Sequence, residues 1–224
     1  YKIRRYGFHG ISHKYVSQRA AEFMGQDIRR VKTIVCHLGN GASISAVRYG
    51  KVIDNSMGFT PLEGLVMGTR CGDVDPGALE FLAKKENLDF KQVMAILNQE
   101  SGVLGISRNL SSDFRELKNA EIKYNDKAAL AREIFAYKVA KYVGSYAAAM
   151  NGVDNIVFTA GVGENDSDMR QEICDYLEFL GITIDEVKNR DQGEAVRIST
   201  GGSRVNVLVI KTNEELEIAR EAAA

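Results

Sequence analysis

The chain contains 224 residues, of which 45% are hydrophobic and 26% are charged, an ordinary composition for a globular protein with a sizeable buried core. The formal net charge is −1 and the charges are interspersed, so we expect neither a nucleic-acid partner nor a membrane partner. We find no apolar run long enough to span a membrane and no secretion signal at the start, which together predict a cytoplasmic protein.

The cysteines are far apart in the chain and form no CxxC motif, which disfavours both a disulfide framework and a zinc site. We expect Cys36, Cys71 and Cys174 to be small buried side chains. The chain begins at Tyr1 rather than at a methionine and reaches motif-like sequence by residues 6–10, so we expect it to be part of a longer protein.

Apolar periodicity predicts a first helix over residues 12–24, followed by an antiparallel meander of short strands. We place these strands near residues 31–37, 43–49 and 51–56. The turns between them are Gly39-Asn40-Gly41 and Gly50-Lys51. A glycine-rich loop is then expected over residues 59–76, helices over 77–85 and 89–99, and a second loop over 101–112.

The longest amphipathic pattern runs from Asp126 to Met150 and predicts a helix that is stopped by Gly152. An apolar strand over residues 155–160 follows. After it we expect a second glycine turn at Gly161-Val162-Gly163 and a helix to about residue 180. A buried strand over residues 205–210 and a helix over 213–223 come last.

Without the helices inserted at about residues 76–119, the order of elements is three strands, helix, strand, helix, strand, helix. This is the order of a ribonuclease-H-like domain. We therefore predict an α/β fold of the ribonuclease-H-like type, with a mixed five-stranded sheet flanked by helices. Residues 31–224 would form this domain, and residues 1–30 a hinge or the start of the same domain.

Two glycine turns follow strands of the predicted sheet, at the edge where open α/β folds bind their ligands. Glycine reaches backbone angles closed to other residues and lets peptide N–H groups approach a phosphate. Taken alone, the turn at residues 39–41 is more typical of a plain hairpin, and the turn at residues 161–163 of a strand-to-helix connection. Because both turns occur, we predict a nucleotide-binding site, with Asn40 and Ser43 as neutral donors.

A loop rich in glycine and acidic residues carries Arg70, for which two interpretations stay open. The side chain either pairs with Asp73 or Asp75, or directs a planar cation at a transferring phosphoryl group. The segment Asp113-Phe114-Arg115 likewise offers a carboxylate, an aromatic face and a guanidinium group. A helix-capping aspartate before an apolar residue is the more typical interpretation there.

The histidines at positions 9 and 13 are four residues apart, but metal binding is disfavoured because no third ligand is near and Gly10 indicates a loop. A loop histidine such as His9 is better placed to contact a substrate. His37, beside the first glycine turn, either forms a hydrogen bond within the loop or fills space. Glu214 begins the last helix and is either an acid favoured by the helix dipole or a carboxylate that holds Mg²⁺ through water.

Six segments resemble, in order, the motifs of the acetokinase family, which shares its fold with sugar kinases, Hsp70 and actin. These segments are residues 6–13, 37–43, 57–64, 68–76, 112–115 and 158–165. The resemblance extends over the whole chain. It implies reversible phosphoryl transfer from ATP to acetate, giving ADP and acetyl phosphate, with Mg²⁺ or Mn²⁺ as the metal ion.

The resemblance also assigns roles to single residues. It implies that His9 and Arg70 stabilise the transition state and that Glu214 binds the metal ion. The nucleotide-binding residues that it implies are His37, Leu38, Gly39, Asn40, Gly41, Asp113, Phe114, Arg115, Gly161, Val162, Gly163, Glu164 and Asn165. It further implies a homodimer formed through this domain.

The N-terminal domain of the family is not among these 224 residues. The resemblance implies that this domain supplies an asparagine at the metal, an arginine for the acyl carboxylate and an aspartate near the reacting groups. We therefore predict that the chain alone binds ATP or ADP weakly and does not turn over. Propionate or butyrate kinase stays open as an alternative, since a methylene group changes binding only modestly. A nucleotide-binding module without acyl transfer is the alternative from another class, although such a module has no need of His9 and Arg70.

Overall fold

Six strands form one mixed sheet in the computed structural model, which describes residues 1–223. The strands are β1 (Lys32–Leu38), β2 (Ala42–Arg48), β3 (Lys51–Asn55), β4 (Asn155–Thr159), β5 (Ala195–Arg197) and β6 (Asn206–Ile210). Their spatial order is β3-β2-β1-β4-β6-β5. Strands β1, β4 and β6 are parallel, and the other strands are antiparallel to their neighbours. The predicted α/β class with a mixed sheet flanked by helices is confirmed.

The number of strands differs from the prediction, because the sheet has six strands and the sequence indicated five. The additional strand is β5, which has three residues and pairs with β6 at the edge of the sheet. A segment this short does not contain enough residues for the alternation of apolar and polar side chains to stand out.

Nine α-helices and three short 3-10 helices occur within residues 1–223. The α-helices are α1 (Gly10–Phe23), α2 (Pro76–Glu86), α3 (Phe90–Gln99), α4 (Gly102–Ile106), α5 (Phe114–Ile122), α6 (Asp126–Met150), α7 (Ala160–Asn165), α8 (Ser167–Asp175) and α9 (Glu214–Ala222). The 3-10 helices are Ile28–Arg30, Glu178–Leu180 and Lys188–Arg190. In this part of the chain, none of the helices combines the length and the apolar character that crossing a membrane requires.

Two segments expected as loops contain helices. The predicted loop over residues 101–112 includes α4, and the predicted second glycine turn is the helix α7, which starts directly after β4. Helix α7 forms despite its glycines because side chains complete its hydrogen bonds: Ala160 N–H donates to Glu164 Oε1 at 2.8 Å, and Asn165 Nδ2 donates to the Gly161 carbonyl at 2.9 Å. Tertiary context here outweighs the low helix propensity of glycine.

Alternate side chains of β1 enter two separate apolar clusters on the two faces of the sheet. Ile34 and Cys36 belong to the larger cluster, which includes the buried side of α6. Val35 belongs to the smaller cluster, where Val16 and Ala20 of α1 cover the sheet. Burial on both faces explains why β1 reads as a continuous apolar run. Helix α1 thus packs on the sheet, while a hinge within residues 1–30 stays a prediction.

Helices α2 to α5 lie between β3 and α6 in the chain, as the predicted insertion requires. Within this group, α4 and α5 pack against α6, and α2 contacts α3. Because α6 itself covers the sheet, this packing brings the start of α5 toward the strand ends.

Candidate nucleotide-binding site

The carboxyl ends of β1, β4 and β6 lie at one edge of the sheet, because these strands are parallel neighbours. A cavity of about 660 Å³ lies at this edge. Eight of the predicted nucleotide-binding residues line it: Gly39, Asn40, Asp113, Phe114, Arg115, Gly161, Val162 and Asn165. The cavity is thus lined by three segments that are more than 40 residues apart in the chain: the β1–β2 turn, the start of α5 and the start of α7.

Five predicted residues do not line this cavity. His37 and Leu38 are the buried last residues of β1, and Gly163 is buried in α7. Gly41 is the last residue of the turn whose Gly39 and Asn40 line the cavity, and it faces His9 and Arg70. Glu164 uses its carboxylate to accept hydrogen bonds from Ala160 N–H at 2.8 Å and Thr212 N–H at 3.1 Å. These bonds connect the ends of β4 and β6, so Glu164 organises the edge of the sheet.

The first glycine turn differs in one respect from the prediction. Neither Gly39 nor Gly41 has a positive φ. These glycines therefore contribute the space left by a missing side chain, and not backbone angles that other residues cannot adopt. A Cβ atom at Gly41 would lie 3.5 Å from Arg70 Nη1 and 3.8 Å from His9 Nε2. The N–H of Gly39 donates to the Gly41 carbonyl at 3.2 Å, whereas those of Asn40 and Gly41 donate to no group among residues 1–223. Two amides are therefore available to an anion beside His9 and Arg70.

The loop that carries Arg70 is held between the glycine turn and helix α4. Gly68 N–H donates to the Asn40 carbonyl at 2.9 Å, and Val103 N–H donates to the Met67 carbonyl at 2.8 Å. Gly102 has a φ of 63°, and a Cβ atom there would collide with the Met67 carbonyl. The loop is thus packed so closely against α4 that only glycine fits at the contact.

Arg70 forms no ion pair with a carboxylate among the described residues. Its Nη1 donates to the Pro61 carbonyl at 3.1 Å. Asp73 instead accepts from Gly64 N–H and from the Tyr142 hydroxyl, and Asp75 caps helix α2. The interpretation that Arg70 pairs with one of these aspartates is wrong, and its half-buried charge is available to an external anion.

His9 precedes helix α1 in a left-handed backbone conformation, with a φ of 55°. A non-glycine residue in this region stores strain, a feature that is common at functional sites. The ring stacks on His37 at a centroid distance of 4.1 Å, and its Nδ1 lies 2.8 Å from Ser43 Oγ. Burial, together with the positive charge of Arg70, lowers the pKa of His9. At neutral pH His9 therefore faces Gly41 and Arg70 as a neutral imidazole.

His13 and His37 complete a cluster with His9. His13 Nε2 lies 2.8 Å from the same Ser43 Oγ, and His37 Nδ1 lies 2.8 Å from Ser12 Oγ. Both rings are buried. The hydroxyls of Ser12 and Ser43 form hydrogen bonds with the histidine nitrogens that a metal ion would require as ligands. No set of three metal-binding side chains occurs within residues 1–223.

Acidification should destabilise the chain through this cluster. Burial and, to a smaller extent, the neighbouring His9 lower the pKa of His37 to about 3, whereas an unfolded histidine titrates near pH 6.5. Between these values the unfolded state binds more protons, so the stability contributed by neutral His37 is complete above about pH 6.5 and falls toward pH 3. The slope for this one group is at most about 1.4 kcal/mol per pH unit.

Urea denaturation at about pH 7 and about pH 5 measures this effect. The variant His37→Gln should show a smaller loss of stability between the two pH values than the original chain. An equal loss in both proteins would contradict the assignment of a buried neutral His37.

The segment Asp113-Phe114-Arg115 starts helix α5, as the capping interpretation has it. Asp113 accepts from Arg115 N–H at 2.8 Å as the N-cap residue and pairs with the Arg115 guanidinium at 2.6 Å. Phe114 is buried against Phe135, with ring centroids 4.5 Å apart. All three residues also line the cavity, so this segment both begins helix α5 and forms part of the cavity wall.

Four residues of the cavity wall were missed from the sequence: Ser112, Lys118, Asn119 and Asp166. Asp166 accepts a bond from Lys118 at 2.9 Å and one from the buried Arg132 at 2.7 Å. Burial opposes ionisation, but these two cations hold the pKa of Asp166 below its usual value. Arg132 on the apolar side of α6 was an available signal, because a buried charge requires a partner.

Glu214 is the first residue of α9, which follows the carboxyl end of β6. Its half-buried carboxylate has no hydrogen bond or ion pair within the described part of the chain. A single available carboxylate fits Mg²⁺, which keeps most of its water and takes its other ligands from phosphate oxygens. The role of Glu214 as a metal ligand stays a prediction.

The mixed sheet and the cavity at the carboxyl ends of its parallel strands define the chain as an α/β domain with a candidate ligand site at the strand ends. Amides and a guanidinium group beside the cavity suit an anionic ligand.

The sequence model of the Acetokinase family matches residues 1–220, and the chain belongs to this family. The acetate kinase of Helicobacter hepaticus is 59% identical over 224 residues, which are 100% of this chain and 56% of that protein. The crystal structure of Porphyromonas gingivalis acetate kinase matches with a TM-score of 0.95 at 49% identity, covering 99% of this chain and 55% of that one. A propionate kinase from Francisella tularensis matches with a TM-score of 0.91 at 46% identity, covering 98% and 55%. The chain spans about half the length of the curated relatives that it matches.

Proposed function

We propose that this chain is the nucleotide-binding part of an acetate kinase, which transfers a phosphoryl group reversibly between ATP and acetate. The observation that carries the proposal is the position of His9 Nε2 and the Arg70 guanidinium at Gly41, beside the cavity-lining turn. Membership of the Acetokinase family and the acetate kinase relatives support the same reaction.

The proposed chemistry needs positioning and charge neutralisation more than proton transfer. Acetate is already ionised at neutral pH, so its carboxylate attacks the terminal phosphorus of ATP without a general base, and acetyl phosphate and ADP result. The amides of Asn40 and Gly41, the His9 imidazole and the Arg70 guanidinium would donate to phosphoryl oxygens as negative charge shifts in the transition state. A Mg²⁺ ion, held in part by Glu214, would supply further charge neutralisation.

The chain is proposed to hold the nucleotide and to leave the binding of acetate to the remainder of the protein. The support for this division is that the chain matches about half the length of its relatives. We expect the 224-residue chain to bind ADP or ATP weakly and to form no acetyl phosphate by itself.

Calorimetric titration of the chain with ADP and Mg²⁺ tests the nucleotide site. The variant Gly41→Val would place methyl groups between the turn, His9 and Arg70. A misfit as large as overpacking in a protein core, about 1–3 kcal/mol, would lower the affinity for ADP about 5- to 160-fold. Gly201→Val is a matched control, because no atom lies within 4 Å of the position of its Cβ.

Absence of ADP binding to the unaltered chain, or equal weakening by both variants, would contradict the proposed site. Acetyl phosphate formation by the chain alone would contradict the proposed division between the two parts of the protein.

Propionate kinase is a second candidate, favoured by the similarity to the Francisella tularensis structure. The two activities differ by one methylene in the acyl group, and the part proposed to hold that group is outside this chain. Relative rates with acetate, propionate and butyrate on the complete protein distinguish the candidates. A module that binds nucleotide without phosphoryl transfer is disfavoured. Such a module would not require a cation like Arg70, whose charge is not paired with a carboxylate among the described residues.

We also propose that the complete protein is a cytoplasmic homodimer that contacts its partner through this part. The support for this proposal is the family to which the chain belongs.

A further inference from the structure

We propose that Ser43 and His13 are positioning residues that hold His9 in the tautomer with its proton on Nε2. The tautomer assignment depends only on the hydrogen bonds of the cluster, whereas its importance for catalysis rests on the proposed function. We call the three residues His13, Ser43 and His9 the histidine–serine chain.

The geometry of the histidine–serine chain is that of a hydroxyl between two imidazoles. Ser43 Oγ lies 2.8 Å from His9 Nδ1 and 2.8 Å from His13 Nε2. The serine is fully buried on β2, and its hydroxyl has no third partner among residues 1–223. A hydroxyl carries one proton, so it can donate to only one of the two rings. The other ring must then donate to the serine oxygen.

The unpaired nitrogen of His13 determines which atoms donate and which accept in the hydrogen bonds of the histidine–serine chain. His13 is buried, and its Nδ1 has no hydrogen-bond partner. If Nδ1 carried the proton, a buried N–H donor would be left without an acceptor, which is rarer in proteins than an unpaired acceptor. The proton of His13 therefore belongs on Nε2, which donates to Ser43 Oγ. The Ser43 hydroxyl then donates to His9 Nδ1.

His9 consequently carries its own proton on Nε2, because a neutral imidazole has one N–H group. Burial lowers the pKa of both His9 and His13, in agreement with two neutral rings. His9 Nε2 is the nitrogen that lies near Gly41 and Arg70. The chain of hydrogen bonds thus points a donor at the place proposed for the terminal phosphate, where the other tautomer would present a lone pair to an anion.

A different serine provides the matched control. Ser12 is also fully buried and also contacts a histidine of the cluster, with its Oγ 2.8 Å from His37 Nδ1. It has no bond to His9 or Ser43. Removal of the Ser12 hydroxyl should therefore disturb His37 and leave the tautomer of His9 unchanged.

The first test is long-range ¹H–¹⁵N NMR of the 224-residue chain labelled with ¹⁵N-histidine. We expect the His9 signals of a protonated Nε2 and an unprotonated Nδ1. In Ser43→Ala the separation between these two nitrogen signals should shrink, because Nδ1 loses its donor and both tautomers become populated. Ser43→Thr keeps the hydroxyl and should restore the separation, and Ser12→Ala should leave it unchanged.

A protonated Nδ1 on His9 in the original chain, or identical His9 signals in the original chain and Ser43→Ala, would overturn the proposal. If Ser43→Ala fails to fold, His13→Phe removes the donor to Ser43. The Ser43 hydroxyl can then accept from His9 Nδ1 as well as donate to it, so the same separation is expected to narrow. Unchanged His9 signals in His13→Phe would also overturn it.

The second test uses the complete protein and separates this proposal from the proposed function. Ser43→Ala should lower kcat by about tenfold or more with nearly unchanged KM for ATP, since a misplaced proton affects the transition state most. An unchanged kcat in Ser43→Ala would overturn the positioning role. If the unaltered protein shows the expected NMR pattern but transfers no phosphoryl group, the tautomer assignment is supported and the proposed function fails.

Discussion

Replacement of Arg70 by alanine in the complete protein should lower kcat for acetyl phosphate formation by about a thousandfold, the lower end of the range for an arginine at a transferring phosphoryl group. The affinity for ATP should change little, because the amides of the turn and the cavity wall remain. The physical reason is that Arg70 has no carboxylate partner among the described residues, so its charge is available to the developing charge of the transition state.

Steady-state kinetics with varied ATP and acetate measure this effect, and calorimetry measures nucleotide affinity separately. Arg29→Ala is the matched control, because Arg29 is exposed and pairs only with Asp27 in the described structure. An unchanged kcat in Arg70→Ala would favour a nucleotide-binding module over a kinase. A loss of ATP affinity equal to the loss of kcat would contradict a role specific to the transition state.

Replacement of Arg132 by methionine should lower the free energy of unfolding by roughly 3–5 kcal/mol, the usual cost of removing one partner from a buried ion pair. The side chain of Arg132 is 2% exposed and bonds Glu121 at 2.5 Å and Asp166 at 2.7 Å. Methionine keeps most of the apolar stem but leaves the nearly buried Asp166 with Lys118 as its remaining cation.

Urea denaturation of the 224-residue chain measures the change. Lys84→Met is the control, because Lys84 and its partner Glu80 are both exposed on α2. Exposed pairs of this spacing contribute about 0.3–0.5 kcal/mol, so this variant should remain close to the original stability. Equal losses of unfolding free energy in Arg132→Met and Lys84→Met would contradict the conclusion that the ion pairs of Arg132 stabilise the fold more than an exposed pair does.

The predictability of the fold differs between its long and its short elements. Helix α6 has the predicted bounds, from Asp126 to Met150, because 25 residues of amphipathic pattern give a strong periodic signal. The five strands predicted from the sequence are all present within a few residues. The three-residue β5 and the glycine-rich α7 were not recognised, since their formation depends on neighbours such as β6 and the Glu164 carboxylate.

The predictability of the site shows a similar division. The residue types at the glycine turn, at Arg70 and at His9 indicated a phosphate ligand before any distance was known. The partners of those residues were not predictable. Arg70 could have paired with Asp73, which instead bonds Gly64 and Tyr142, and Arg132 gave only a weak sign of its pair with Asp166.

The sequence by itself determined the class of fold and the family and predicted candidate residues for the site, because periodicity and motifs are local properties of the chain. Only the tertiary structure decided that the β1–β2 turn, α5 and α7 share one cavity and that a single serine joins His9 to His13. The physical reason is that such contacts join residues distant in sequence. Their distances depend on the order of the strands and on close packing between helices, which no local pattern encodes.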